Sequence, residues 1–312
     1  MSKIGCIPTK KFIPDIQLIK DMTYTVKNLN GSIVMFPEAS YSFDGSTTPL
    51  PESLGKCIKY LNIPVVMIKT TGAFLHDPLY NCLQKRQVPV SAHIYQLFST
   101  NDIQTKSVEE LNCELKQAFS YDHFRNQFDS GTLISEKFRA NGLERVLYKC
   151  PACKKEGSMK GQGITIKCNA CKKEYTLLEI GKLKAQKGGT EYEYITDWDN
   201  WERNEIKNEL LCETYSFDEE VTIRVLTNFK AIYEIGTGRL THDINGFHLI
   251  SDNGEIDFSL KPKATYSVYA DFFWYELGDM ISIGDNNIQY YCFPTNQSVP
   301  VAKVRLAAEE LY

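Results

Sequence analysis

Nowhere in these 312 residues does an apolar run approach the ~18 residues of a membrane-spanning helix, and the N-terminus lacks a secretory signal layout. Charge of one sign is missing too. Thirty-five Lys and Arg against 39 Asp and Glu leave a net of −4, which gives no global attraction to nucleic acid or anionic lipid. Histidine is scarce at five residues, so few side chains are available for proton transfer near neutral pH. The expected location is the cytoplasm, with peripheral contact at the inner face of a membrane left open, and nucleic acid is not favoured as a partner.

What remains is ordinary in composition, with 43% hydrophobic and 24% charged residues, values typical of globular proteins. A chain this long is expected to divide into two or three domains. Cysteine is the exception to the scarcity, at ten residues. Cys6, Cys57, Cys82, Cys113, Cys212 and Cys292 are scattered singly in apolar contexts and read as reduced, buried thiols of a cytosolic protein. The other four form Cys150-Pro-Ala-Cys153 and Cys168-Asn-Ala-Cys171, a C-x2-C, x14, C-x2-C pattern. Each pair suits a tight knuckle that aims two thiolates at one metal, and four thiolates complete a closed tetrahedral site, so a structural Zn2+ is expected. No position would stay open for catalysis. Between Arg145 and Lys187, eleven Lys/Arg against three Asp/Glu give a local net of +8, suited to anionic head groups or merely to a solvated ribbon surface.

Upstream, residues 15–28 and 51–61 read as helices, and residues 33–36, 64–68 and 89–98 as strands. That alternation implies parallel strands with helical crossovers. Ser107 caps a helix to about Phe119, with Glu110 completing a capping box. The run Ile33–Phe36 is expected to be a buried strand that breaks at Pro37, leaving Glu38, Ser40 and Ser42 on the loop beyond its carboxyl end.

The string Phe36-Pro37-Glu38-Ala39-Ser40-Tyr41-Ser42, followed by Asp44-Gly45, resembles the Phe-Pro-Glu-Gly-Thr-Arg-Ser block of the glycerolipid (lysophosphatidate-type) acyltransferases. Ile63-Pro64-Val65-Val66 is similar to that family's next strand, and the resemblance covers roughly residues 1–120. It implies an α/β acyltransferase-type domain that moves an acyl group from a thioester donor, acyl-CoA or acyl carrier protein, to a lysophospholipid or glycerol-phosphate-type acceptor. On the matching positions, Phe36 and Pro37 shape the acceptor pocket, Glu38 and Ser40 hold the acceptor, and Lys10 or Lys11 stands where an arginine usually grips its phosphate.

Three departures bear on the chemistry. Ala39 replaces a glycine, and Tyr41 replaces an arginine, so one neutral donor stands in for a bidentate charged pair. The family's His-x4-Asp block, its base and orienting carboxylate, is absent. Five residues beyond His76, His93, His123, His242 and His248 come Asn81, Phe98, Phe128, Phe247 and Asn253. His76-Asp77 is adjacent in sequence but lacks that geometry, and the catalytic residue is unknown. The block is missing either because the chain starts at an internal methionine of a longer frame, with Ile4–Ile7 a strand already under way, or because a base was lost; the first is preferred, leaving the α/β domain incomplete at its N-terminus.

From Tyr215 the texture changes to short alternating strands, near 220–226, 230–234, 238–242, 246–251, 255–260, 265–275, 279–284 and 287–292, with turns at Asn245-Gly246 and Asn253-Gly254. An amphipathic helix over 301–311, with Val301, Val304, Ala308 and Leu311 on one face, ends the chain. This layout resembles a pleckstrin-homology-like antiparallel β-barrel with a terminal helix. The expected organisation is an acyltransferase-like domain over 1–144, a four-cysteine zinc ribbon over 145–182, a linker and helix over 183–214, and the barrel over 215–312. The functional alternative is a non-catalytic lipid- or partner-binding protein.

Overall fold

A computed structural model describes every residue except 1–4, 8, 10, 13, 14, 228–230 and 297. Helix α1 (Ile16–Lys27) starts where Asp15 accepts the Leu18 N–H and turns Met22 inward. A long loop leads to α2 (Ser53–Leu61), strand β1 (Val65–Thr71) and the short helix α3 (Ala73–His76), then to β2 (Ser91–Phe98) and α4 (Thr100–Thr105). Helix α5 (Val108–Phe119) begins at the anticipated capping box, in which Ser107 and Glu110 satisfy each other's backbone N–H groups. Helix α6 (His123–Asp129) follows, capped by Asp122.

Two expectations for this part fail. Strand β1 pairs with β2 antiparallel, with Met67 opposite Tyr95, and the two form a two-stranded sheet on their own. No parallel crossover exists among the described residues. The run 33–36 is not a strand, and Val34 and Phe36 stand 77% and 85% exposed. The physical reason is the same in both cases: β character is realised only when backbone groups find a neighbouring ladder, and residues 33–36 have none. Helices α2, α4 and α5 cover the inner face of the pair around Leu54, Ile58, Phe98, Ile103, Leu111 and Leu115.

Residues 159–185 form a four-stranded antiparallel sheet from β3 (Met159–Gln162), β4 (Thr165–Cys168), β5 (Glu174–Leu177) and β6 (Leu183–Ala185), in sequence order. Helix α7 (Ile195–Leu211) then carries Trp198, which is fully buried, gives its indole N–H to the Lys149 carbonyl and meets the Tyr175 ring edge-on.

The C-terminal part is a seven-stranded antiparallel sheet of β7 (Phe217–Thr227), β8 (Ala231–Asp243), β9 (Gly246–Ser251), β10 (Asp257–Leu260), β11 (Tyr269–Trp274), β12 (Gly278–Gly284) and β13 (Gln289–Pro294). Two meanders, β7 to β10 and β11 to β13, join through the β7–β13 pair, giving the order β10-β9-β8-β7-β13-β12-β11. The two strands expected at 230–234 and 238–242 are one long strand, β8. A closed barrel is not found: β10 and β11 remain the two edges and do not bond to one another. Helix α8 (Val301–Leu311) matches the expected range but not the expected single apolar face, because Ala302, Arg305, Leu306 and Ala307 are buried along with Val301, Val304 and Ala308. It packs between α7 and strands β11 and β12. One apolar cluster runs continuously from Phe43, Leu75 and Tyr80 through the ribbon's Ile166 and Tyr175 to Ile281 and Val304.

Candidate metal centre and the loop at Glu38

The two cysteine knuckles are built alike. After Cys150, the Lys154 N–H returns to the Cys150 carbonyl at 2.7 Å and the Cys150 N–H reaches the Lys155 carbonyl at 3.0 Å. After Cys168, the Lys172 N–H bonds the Cys168 carbonyl at 2.9 Å and the Cys168 N–H the Lys173 carbonyl at 2.8 Å. Each turn closes through a lysine with positive φ, 59° at Lys154 and 65° at Lys172. The matching hairpins bring all four sulfurs within 4.8 Å of one another, with Cys150–Cys171 at 3.7 Å and Cys153–Cys168 at 3.8 Å. These separations are far beyond the ~2.05 Å of a disulfide. They match the edge of a tetrahedron, which for metal–sulfur bonds of about 2.3 Å is roughly 3.8 Å.

The donor set therefore fits a metal ion. Cys150 and Cys168 are buried while Cys153 and Cys171 face outward. Burial holds the Cys150 and Cys171 thiols above their ordinary range, and the Lys155 backbone N–H pulls Cys153 below its own. A cation between the sulfurs would supply the missing stabilisation of the thiolates. Four sulfurs around one ion would close the shell, an arrangement consistent with a structural metal.

The string 36–45 lies elsewhere, as a loop laid against the C-terminal half. Phe43 stacks on Phe272 with ring centroids 4.0 Å apart, and the Arg305 guanidinium sits 4.5 Å over the Phe43 ring. Arg305 also donates from Nη1 to the Tyr41 carbonyl at 2.9 Å. Glu38 accepts the Thr48 N–H at 3.0 Å and the Thr48 hydroxyl at 3.1 Å through Oε1, fastening the two ends of the loop together. Pro37 and Ser40 are half-buried in its first turn, where the Ser40 N–H returns to the Glu38 carbonyl, and Phe36 projects outward.

Lys11 reaches the same neighbourhood. Its ammonium lies 3.8 Å over the Tyr269 ring and 5.8 Å from the Tyr41 ring, and burial lowers its pKa against the pull of Asp271. Lys10 lies outside the described residues. Lys11 thus lies near Tyr41, which the loop joins to the Glu38–Ser40 turn, while the Phe36 side chain is exposed.

A cavity of about 500 Å³ opens beside this loop, yet none of Lys11, Phe36, Pro37, Glu38 or Ser40 lines it. Its charged walls come from Asp44, Asp199, Arg203, Arg305 and Glu309, with the exposed Glu52 and Lys116 beside them, a set that no single stretch of sequence assembles. Arg305 and Glu309 stand one turn apart on a helix whose neighbours are nearly all apolar, and that i,i+4 charge pair was the available signal.

The five histidines lie apart from one another in their settings, with His93 exposed on β2 and its ring 5.5 Å from that of Tyr95. His76 and His123 each bury an Nδ1 with no partner among the described residues, His242 bonds the Tyr215 hydroxyl inside the sheet, and His248 pairs with Asp257 on its exposed face. Compared with protein-family models, curated proteins and solved structures, the chain matches none of them.

Proposed function

We propose that this chain recognises the substrates of glycerolipid acyltransferases, a lysophospholipid or glycerol-phosphate-type acceptor and an acyl thioester donor on coenzyme A or acyl carrier protein. The observation that carries the reading is the residue string Phe36–Ser42 with Asp44-Gly45. The geometry around it is compatible in kind: the loop backbone is fixed at Glu38 and Tyr41, while the Phe36 and Tyr41 rings stay exposed, 85% and 65%, where an apolar ligand would meet them. Lys11 beside Tyr41 is the cation for an acceptor phosphate, and Ser40 the neighbouring hydroxyl.

Recognition without transfer is the form we infer for these 312 residues. They hold no His-x4-Asp block, and general-base catalysis is worth about 10²–10⁴-fold in rate. The Glu38 carboxylate is already engaged by Thr48, which favours the reading of a lipid-binding module over that of a complete catalyst. We further propose that the four-cysteine centre holds one structural Zn2+. Residues 215–312 are proposed to follow a pleckstrin-homology-like layout with a binding role, and the protein to work in the cytoplasm or against the inner face of a membrane.

The test is one purified sample given oleoyl-CoA and lysophosphatidic acid. The expected result is saturable binding of lysophosphatidic acid with no release of free thiol. Thiol release dependent on the acceptor overturns the non-catalytic form, and absence of binding removes the acyltransferase assignment.

A further inference from the structure

Among the described residues, Asp199 is the one buried acid of the cavity beside the 43–52 loop that the protein itself leaves unanswered. It stands on the second turn of α7 and is 7% exposed, yet its carboxylate accepts no hydrogen bond and joins no ion pair among the described residues. The two arginines that share the cavity are committed elsewhere. Arg203 donates to Glu309 at 2.7 Å and Glu310 at 3.1 Å, and Arg305 donates to Glu309 at 3.0 Å and to the Tyr41 carbonyl at 2.9 Å. Asp44, 8% exposed, spends one oxygen on Ser42 and Ser46 and leaves the other free among the described residues. Burial first, and then the charge of Asp44, pushes the Asp199 carboxyl well above the ordinary carboxylate range, against the pull of Arg203 and Arg305. Two buried acids with free oxygens thus meet at a hollow of about 500 Å³, a volume suited to a small organic ligand.

An unpaired buried carboxylate is costly, so a ligand that brings hydrogen-bond donors and positive charge gains most there. Two ligand classes do so, a divalent cation and an organic ammonium. A hard divalent cation takes six or more oxygens, usually with several carboxylates among them. Among the described residues only the four cysteines form a group of three or more His, Cys, Asp or Glu side chains close enough to share an ion. An ammonium needs only the two acids and an apolar wall for its carbon body, which Phe43, Leu50 and Leu306 provide. We propose that the cavity between the 43–52 loop, α7 and α8 is a binding site for a small primary amine, its ammonium held by Asp199 and Asp44.

The experiment is calorimetric titration of the intact chain with n-butylamine, its uncharged counterpart n-butanol, and MgCl2, at about pH 7, where an alkylamine carries its proton. Binding of n-butylamine but not of n-butanol is expected, and this arm needs no variant. Asp199→Asn should weaken the amine about 10- to 100-fold, the range for a hydrogen bond to a charged group. Asp44→Asn should weaken it less. Equal binding of amine and alcohol, unchanged affinity in Asp199→Asn, no amine binding at all, or Asp199-dependent binding of Mg2+ in place of the amine would each overturn the proposal. A further arm compares lysophosphatidylethanolamine with lysophosphatidic acid. Asp199-dependent preference for the former marks a lipid head group as the source of the amine; equal affinity with retained n-butylamine binding marks a soluble one.

Discussion

The first 98 residues and the last 170 are held together in different ways. Of the 24 exposed large hydrophobic residues among those described, 14 lie within residues 1–98, so less than a third of the chain carries more than half of them. Its only sheet among the described residues is the β1–β2 pair, whose outer face shows Val66, Ile68 and Ile94. A two-stranded sheet is marginal by itself and needs packing against something else. The later part has seven- and four-stranded sheets and helices α7 and α8, and it supplies most of the continuous core, to which the early part adds Phe43, Leu75, Leu79, Tyr80 and Val88. The early part is therefore stabilised by attachment: Phe43 on Phe272, Arg305 on Tyr41, and the Thr265 hydroxyl on the Phe12 carbonyl. Local structure that needs only a few consecutive residues forms equally well in both parts, whereas structure that needs partners forms only where partners exist.

The largest expected effect breaks the later region. Because Cys150 and Cys168 belong to the same core as Tyr175, Trp198 and Ile281, the ribbon is not an independent appendage. Structural zinc in small domains contributes an apparent free energy of about 10–16 kcal/mol near neutral pH. Metal analysis is expected to return about one equivalent per chain, and Cys150→Ser or a strong chelator should unfold the ribbon and carry α7 with it. Tryptophan fluorescence follows this directly, since Trp198 lies against Tyr175 with ring centroids 5.0 Å apart. A chain without metal, or loss of metal with unchanged fluorescence, contradicts the shared core.

Two histidines, half-buried His123 on α6 and buried His242 in the C-terminal sheet, make a pH comparison possible. Burial lowers both His123, on α6, and His242, in the sheet, to about 4; His123 has Asp122 beside it, and His242 has Asp243. Between the unfolded value near 6.5 and about 4, the unfolded state binds more protons, so this stability is complete above about 6.5 and is lost as pH falls toward 4. The shift corresponds to at most about 3 kcal/mol for each histidine. His242 has the Tyr215 hydroxyl at 2.9 Å on its Nδ1, whereas the Nδ1 of His123 has no partner among the described residues. Proton NMR titration of the ring C2–H signals should show both depressed. A normal midpoint near 6.5 for His123 alone would mean that its surroundings open in solution, sharpening the contrast; normal midpoints for both would discredit the packing of each.

The same distinction decides what was legible in the sequence. Capping at Ser107, the two cysteine knuckles, the turns at 245–246 and 253–254 and the helix 301–311 are each written in a short span of residues, and all are present. Residues 33–36 carry β-forming side chains, but no short span reveals whether a neighbouring strand exists. The antiparallel sense of β1 and β2 was hidden for that reason too, since the 19 residues between them suit either direction. Asp199, Arg203 and Glu309 meet Asp44 only through the packing of α7 on α8, and a search for motifs does not register it.

The smallest expected effect lies at Glu38, and it separates a held loop from a binding site. Thr48 is 6% exposed and gives both its N–H and its hydroxyl to the Glu38 carboxylate. Glu38→Ala leaves that N–H without an acceptor, at a cost of about 1–3 kcal/mol. Glu38→Gln keeps a carbonyl oxygen in place and loses only the charge-assisted part of the bond, a smaller penalty. Thermal melting should therefore rank wild type, Glu38→Gln and Glu38→Ala in falling order. Binding of lysophosphatidic acid supplies the second axis. If Glu38 serves only the loop, Glu38→Gln binds like wild type and Glu38→Ala weakens in proportion to its lost stability. If the carboxylate also orients an acceptor hydroxyl, Glu38→Gln loses affinity out of proportion to its small change in melting temperature. A Glu38→Gln variant unchanged on both axes would remove the carboxylate from the site and leave Lys11, Ser40 and the exposed Phe36 and Tyr41 rings to account for recognition.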